Sequence, residues 1–94
     1  MQKVREYMMD HLESEFKIDF VAITENFNGS EGGIWLSGER GETYQDGREL
    51  FNYWSEDHKN YTFGVHNKIQ EWAEKHGWYF EWNDPGTIMC WPNN

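Results

Sequence analysis

Four histidines, one cysteine and seventeen carboxylates are the groups in this 94-residue chain able to carry acid–base, nucleophilic or metal chemistry. His11, His58, His66 and His76 are scattered, and no two have the close spacing of the familiar zinc motifs. Cys90 stands alone and cannot supply the paired-thiolate half of a zinc site. As a nucleophile it would need a neighbouring base and an electropositive setting. Between Met89 and Trp91 it reads instead as a small core residue. Gly29-Ser30 and Ser37-Gly38 lack the residues that flank a nucleophile elbow. The stretch from Gly29 to Gly41 has neither the Walker spacing nor the dinucleotide fingerprint, and Glu25, Glu31, Glu39 and Glu42 give it the wrong charge for phosphate. Glycoside hydrolysis needs two carboxylates facing each other across a cleft. Among seventeen none stands out, and so small a domain has little room for the cleft. The expectation is a non-enzymatic protein without metal or cofactor; a hydrolase built from sequence-distant His and Glu is the outlying alternative.

Binding chemistry has two candidates. The first is aromatic: Trp35, Trp78, Trp82 and Trp91 fall in strand-like runs, and an exposed stripe of them would stack on sugars or bases. Base stacking normally comes with a basic groove along the backbone, and eight Lys and Arg in all disfavour direct nucleic-acid binding. Sugar or small-ligand binding survives, against the simpler reading that Trp fills the core. The second candidate is anionic. Glu25, Glu31, Glu39, Glu42, Asp46, Glu49, Glu56 and Asp57 crowd a stretch whose only cations are Arg40, Arg48 and Lys59. If they share a face, they form a ladder of negative charge able to enter a basic groove built for nucleic acid.

The elements that must position these groups follow from period and punctuation. Residues 2–15 predict a helix with Val4, Met8 and Leu12 on its apolar stripe. Phe16 to Thr24 alternates and predicts a strand. A second strand is expected over 33–38 after a polar turn from Asn26 to Gly32, and a third over Glu42 to Gln45. Asp46 is placed to cap a helix over 47–56 with Leu50, Phe51 and Trp54 on its apolar face. A loop over 57–64 leads to a helix over 64–76, where Val65, Ile69, Trp72 and Ala73 share a face and Gly77 follows the end. Trp78 to Trp82 and Thr87 to Trp91 flank Asn83-Asp84-Pro85-Gly86 and predict an antiparallel hairpin with a type II turn. The sum is one α+β domain, mainly an antiparallel sheet of four to five strands with two to three helices, in the order α-β-β-(β)-α-α-β-β.

Net charge is −9, with six of those charges on residues 1–47. Such a field repels nucleic acid and anionic membranes and attracts cationic partners. The first residues carry no apolar signal core, and no apolar run nears the ~20 residues of a membrane span. Asn28-Gly29-Ser30 and Asn60-Tyr61-Thr62 match the glycosylation pattern, by chance if the chain is cytoplasmic, as its lone cysteine implies. Short, acidic and aromatic-rich, the chain is similar in composition to small phage and mobile-element proteins, including antirestriction and anti-CRISPR inhibitors; no motif carries the likeness. The expected partner is a basic protein surface, such as that of a nucleic-acid-binding enzyme, met by a monomer or a homodimer.

Overall fold

The structure, a computed structural model, describes residues 1–93. Helix α1 runs Arg5–Ser14 and buries Met8 and Leu12, four residues apart, while Val4 stands exposed before it. The chain then turns sharply. Lys17 adopts a positive φ of 58°, and its Nζ donates to the Ser14 carbonyl at 2.8 Å, satisfying one of the orphaned helix-end acceptors. The turn drops Phe16 and Ile18 into the core, as their alternation predicts, but they belong to no strand. Strand β1 is only Val21–Ile23. A one-turn helix α2, Glu25–Asn28, replaces much of the expected polar turn and leads to β2, Ile34–Ser37.

From residue 42 to 56 the expected strand and helix are both absent. Asp46 does accept a backbone N–H, from Arg48 at 2.9 Å, yet it closes a turn, because Tyr44 N–H donates to the Arg48 carbonyl at 2.7 Å. Tertiary partners then hold the backbone extended. Leu50 N–H donates to the Glu42 carbonyl at 2.8 Å, His66 N–H to the Leu50 carbonyl at 2.8 Å, and Asn52 N–H to the Gly64 carbonyl at 2.7 Å. These bonds replace the local ladder a helix would use, and they let the adjacent Leu50 and Phe51 both reach the core. Trp54, assigned from sequence to a buried helix face, is 75 % exposed. The expected loop over 57–64 contains most of a small hairpin, β3 (Tyr61–Thr62) with β4 (Val65–His66), and α3 (Asn67–Lys75) follows directly.

The C-terminal hairpin forms as expected, β5 (Trp78–Asp84) against β6 (Thr87–Pro92). Its turn is not type II, since Gly86 lacks the positive φ that geometry requires. The four-stranded sheet has the order β1-β2-β6-β5 with every pair antiparallel. Register places Ile34, Cys90 and Phe80 in one row and Leu36, Ile88 and Trp82 in the next. Met8 and Leu12 of α1 and Ile69 and Ala73 of α3 pack on this face. Each fully buried aliphatic side chain there contributes roughly 1.5–3 kcal/mol relative to exposure. The opposite face carries the row Ala22, Trp35, Met89 and Glu81. The fold is α+β, with element order α-β-α-β-β-β-α-β-β.

Candidate functional site

The loop between β2 and β3 gathers carboxylates through its own turn chemistry. Asp46 accepts from Arg48 N–H, from Arg48 Nη1 at 3.1 Å and from His66 Nε2 at 2.9 Å. Asp57 accepts from the N–H groups of Lys59 and Asn60, each at 3.1 Å, and from Asn60 Nδ2 at 2.9 Å. Glu49 accepts from Asn52 Nδ2 at 3.2 Å, and its carbonyl receives the Tyr61 hydroxyl at 2.7 Å. Glu42, joined to this loop by its carbonyl bond to Leu50, accepts the Asp19 N–H at 3.2 Å.

The electrostatics match the geometry. The Arg48 N–H bond, aided by His66 and the Arg48 guanidinium, lowers the Asp46 pKa to about 2. The bonds from Asn60 hold Asp57 below the ordinary carboxylate range. Burial pushes the Tyr61 phenol up, and the charges of Glu49, Asp46 and Asp57 push it further against the pull of Arg48. Glu49, Asp46 and Asp57 thus all act on one tyrosine, and the two aspartates are held below the ordinary carboxylate range.

Of the eight acids expected to act together, the structure brings Glu42, Asp46, Glu49 and Asp57 into this loop cluster, with Glu56 exposed beside Asp57. The others lie elsewhere. Glu31 is exposed before β2, and Glu25 at the same end of the sheet is neutralised by Arg5 Nη1 at 2.7 Å. The Gly32 N–H is the largest influence holding the Glu25 pKa down to about 2. Glu39 lies past the other end of β2, its carboxyl against Gly86. The four residues of β2 set these ends roughly 13 Å apart. A single ladder of all eight does not form.

The four strand tryptophans divide between the two faces of the sheet, Trp78 and Trp82 on the packed face and Trp35 and Trp91 on the other, where both are half-buried. Trp78 is buried at 2 % exposure, and Trp35 is held between Phe20 and Phe27, with ring centroids 4.8 and 4.9 Å away. Trp82 meets Phe51 and Tyr53 edge-on. The exposed rings, which the sequence reading missed, are Phe63 at 90 %, Trp54 at 75 %, Tyr53 at 41 % and Phe27 at 36 %. Phe63 and Tyr53 line a depression of about 440 Å³ together with Ser55, His58 and Tyr61, and Trp54 meets Tyr53 edge-on with ring centroids 4.9 Å apart. Gly64, a turn residue between the strand-forming pairs Tyr61-Thr62 and Val65-His66, was the legible hint.

A second groove, of about 570 Å³, is lined by Phe16, Tyr44 and Trp72, by Lys17 and Lys68, and by the single carboxylate of Glu15, among others. Cys90 is fully buried, and burial drives its thiol pKa far upward. His11 stacks on Tyr7 at 4.1 Å, and His76 Nε2 lies 3.3 Å from the Tyr7 hydroxyl. Among the described residues no helix is long and apolar enough to cross a membrane, and no group of three or more His, Cys, Asp and Glu could hold a metal ion. Comparison with protein-family models, curated proteins and solved structures finds no significant match to this chain.

Proposed function

We propose that the chain is a non-enzymatic acidic binding protein that engages a basic site on a protein partner. In its most specific form it is an inhibitor, of the kind phages and mobile elements carry, that occupies the nucleic-acid groove of a cytoplasmic enzyme. The observation that carries this reading is the gathering of Glu42, Asp46, Glu49 and Asp57 in one loop, with Asp46, Glu49 and Asp57 close enough to act on Tyr61. Backbone N–H groups fix Asp46 and Asp57, so part of the charge is pre-ordered before any partner arrives. Fixed charge of one sign speeds encounter with a cationic groove and costs little further ordering.

The test uses a labelled decalysine peptide as the cationic probe, followed by a panel of nucleic-acid-binding enzymes. Glu42 and Glu49 are reversed together (E42K/E49K), because Asp46 and Asp57 also hold turns. The expected results are binding that weakens steeply between 50 and 300 mM salt, and at least tenfold weaker binding by the variant. Binding indifferent to both salt and reversal would remove the reading.

The 570 Å³ groove favours a second reading, a small-ligand site. Its three aromatic residues and two lysines suit a planar anionic compound. Titration with indole-3-acetate and with the uncharged indole-3-ethanol, followed through the Trp72 ring resonances, tests it; no shift from the acid removes it.

A further inference from the structure

The hairpin that joins β3 to β4 turns through Phe63 and Gly64, both at positive φ, 49° and 76°. Positive φ at both central residues is the signature of a type I′ turn, where Asn-Gly is strongly preferred. A bulky residue in the left-handed region is a true outlier. Phe63 is also 90 % exposed, so its ring repays the strain with almost no burial. Two costs at one residue, neither offset within the fold, point from an outlier to a use. Trp54, at 75 % exposure, belongs to the same end of the molecule, because Asn52 N–H bonds the Gly64 carbonyl and Tyr53 lines the depression beside Phe63.

We infer that Phe63 and Trp54 are the apolar anchors of the protein's docking surface, and that the partner they fit is a protein presenting an apolar pocket bordered by Lys and Arg. This rests on the acidic-binding reading above and adds to it where affinity resides. Trp, Tyr and Phe are enriched in interface centres, and Trp and Tyr dominate the residues that carry binding energy. Charge complementarity selects the occupant. Glu56 and Asp57 directly follow Ser55 on the rim of the depression, and the charges of Glu49, Asp46 and Asp57 act on Tyr61, which lines it; the cations nearby are Lys59 and Arg48. A second copy, itself carrying a net charge of −9, would set like charges against each other, and an anionic membrane would be repelled for the same reason. The strain also fixes the anchor's direction: Trp82 Nε1 donates to the Phe63 carbonyl at 2.6 Å, tying the turn to β5 while the ring points away.

The test compares two fourteen-residue peptides of equal charge, one of Lys and Leu with an apolar face, one of Lys and Ser, with a Glu–Leu peptide as control. Binding is measured by calorimetry at 150 mM salt. The intact protein is expected to bind the Lys–Leu peptide at least tenfold more tightly than the Lys–Ser peptide. F63N and W54A should each cut that ratio to near one while leaving Lys–Ser binding unchanged. F63N should at the same time raise the folding equilibrium constant by roughly threefold or more, because Asn relieves the turn. That gain separates an anchor from a structural ring, whose loss would lower stability. A ratio near one in the intact protein, or F63N that keeps the ratio, overturns the proposal. Failure of the Lys–Ser peptide to outbind the Glu–Leu control would instead strike the acidic reading beneath it. Dimerisation that F63N abolishes, or phosphatidylglycerol vesicle binding that it abolishes, would overturn the proposal by naming another occupant.

Discussion

His66 Nε2 lies 2.9 Å from Asp46 Oδ2, joining the acidic loop to the first residue before α3. His66 is 3 % exposed, and its Nδ1 accepts the Lys68 N–H at 3.1 Å. With Nδ1 occupied as an acceptor, the ring proton sits on Nε2 and is donated to Asp46. One neutral imidazole therefore caps a helix and positions a carboxylate.

Replacing His66 separates those two duties. H66A loses the cap, the bond to Asp46 and the ring packed between Tyr44 and Tyr61, and should cost about 3 kcal/mol. H66N retains an acceptor suited to the cap and should fall between H66A and the intact protein. Urea midpoints with an unchanged denaturant slope would measure both. Equal losses from the two variants would mean that the cap contributes nothing.

Acid should unfold the protein through carboxylates whose charged form the fold favours. Glu25 and Asp46 each titrate near 2 in the folded chain, against roughly 4 when unfolded. A depressed folded pKa gives stability that is complete above the unfolded value and is lost as pH falls through the folded one. The melting temperature is therefore expected to be flat above about pH 5 and to drop between pH 4 and 2. In E25Q/D46N the drop should be shallower and should start from a lower plateau. An acid limb of the same steepness in both proteins would show that other groups control it.

What the sequence made legible was period, and what it concealed was partnership. Met8 with Leu12, Ile69 with Ala73 and the two C-terminal strands are each defined by spacing within a short window, and each is found where expected. Residues 47–56 carry a helical pattern too, in Leu50, Phe51 and Trp54, but their backbone groups pair with residues 64 and 66 and, across the turn, with 42 and 44. No local window contains those partners. The acidic residues were visible as composition, while their division was not. Glu25 meets Arg5 twenty positions away, and β2 separates Glu31 from Glu39. Phe63 was hidden because an exposed aromatic in a strained turn runs against the expectation that aromatics fill the core.

Cys90 has no access to reagent in the folded state. It is 0 % exposed, and burial disfavours its thiolate. Labelling by a maleimide at pH 8 should proceed only through unfolding, at a rate that rises with urea as the unfolding equilibrium does. C90S should be less stable than C90A by about 1–2 kcal/mol, since serine would bury a hydroxyl in an apolar cluster. Fast labelling in the absence of urea would contradict the burial.

Gly38 is where the sheet is coupled to the Phe63 turn. It directly follows β2, and a Cβ there would collide with the six-membered ring of Trp82. Trp82 has little freedom to retreat. Its Nε1 is bonded to the Phe63 carbonyl at 2.6 Å, and Tyr53 meets its ring edge-on at 5.1 Å. G38A must therefore displace the indole, and it is expected to cost about 1–3 kcal/mol, as overpacking does. Both the Trp82 Nε1–H resonance and the Phe63 amide should shift, whereas His76, beyond α3, should not. W82A removes the obstacle, so the double variant G38A/W82A should be no less stable than W82A alone. That strong non-additivity is the mark of two groups contending for one space. Additive losses would place the cost of G38A in its own backbone and leave the turn uncoupled from the sheet.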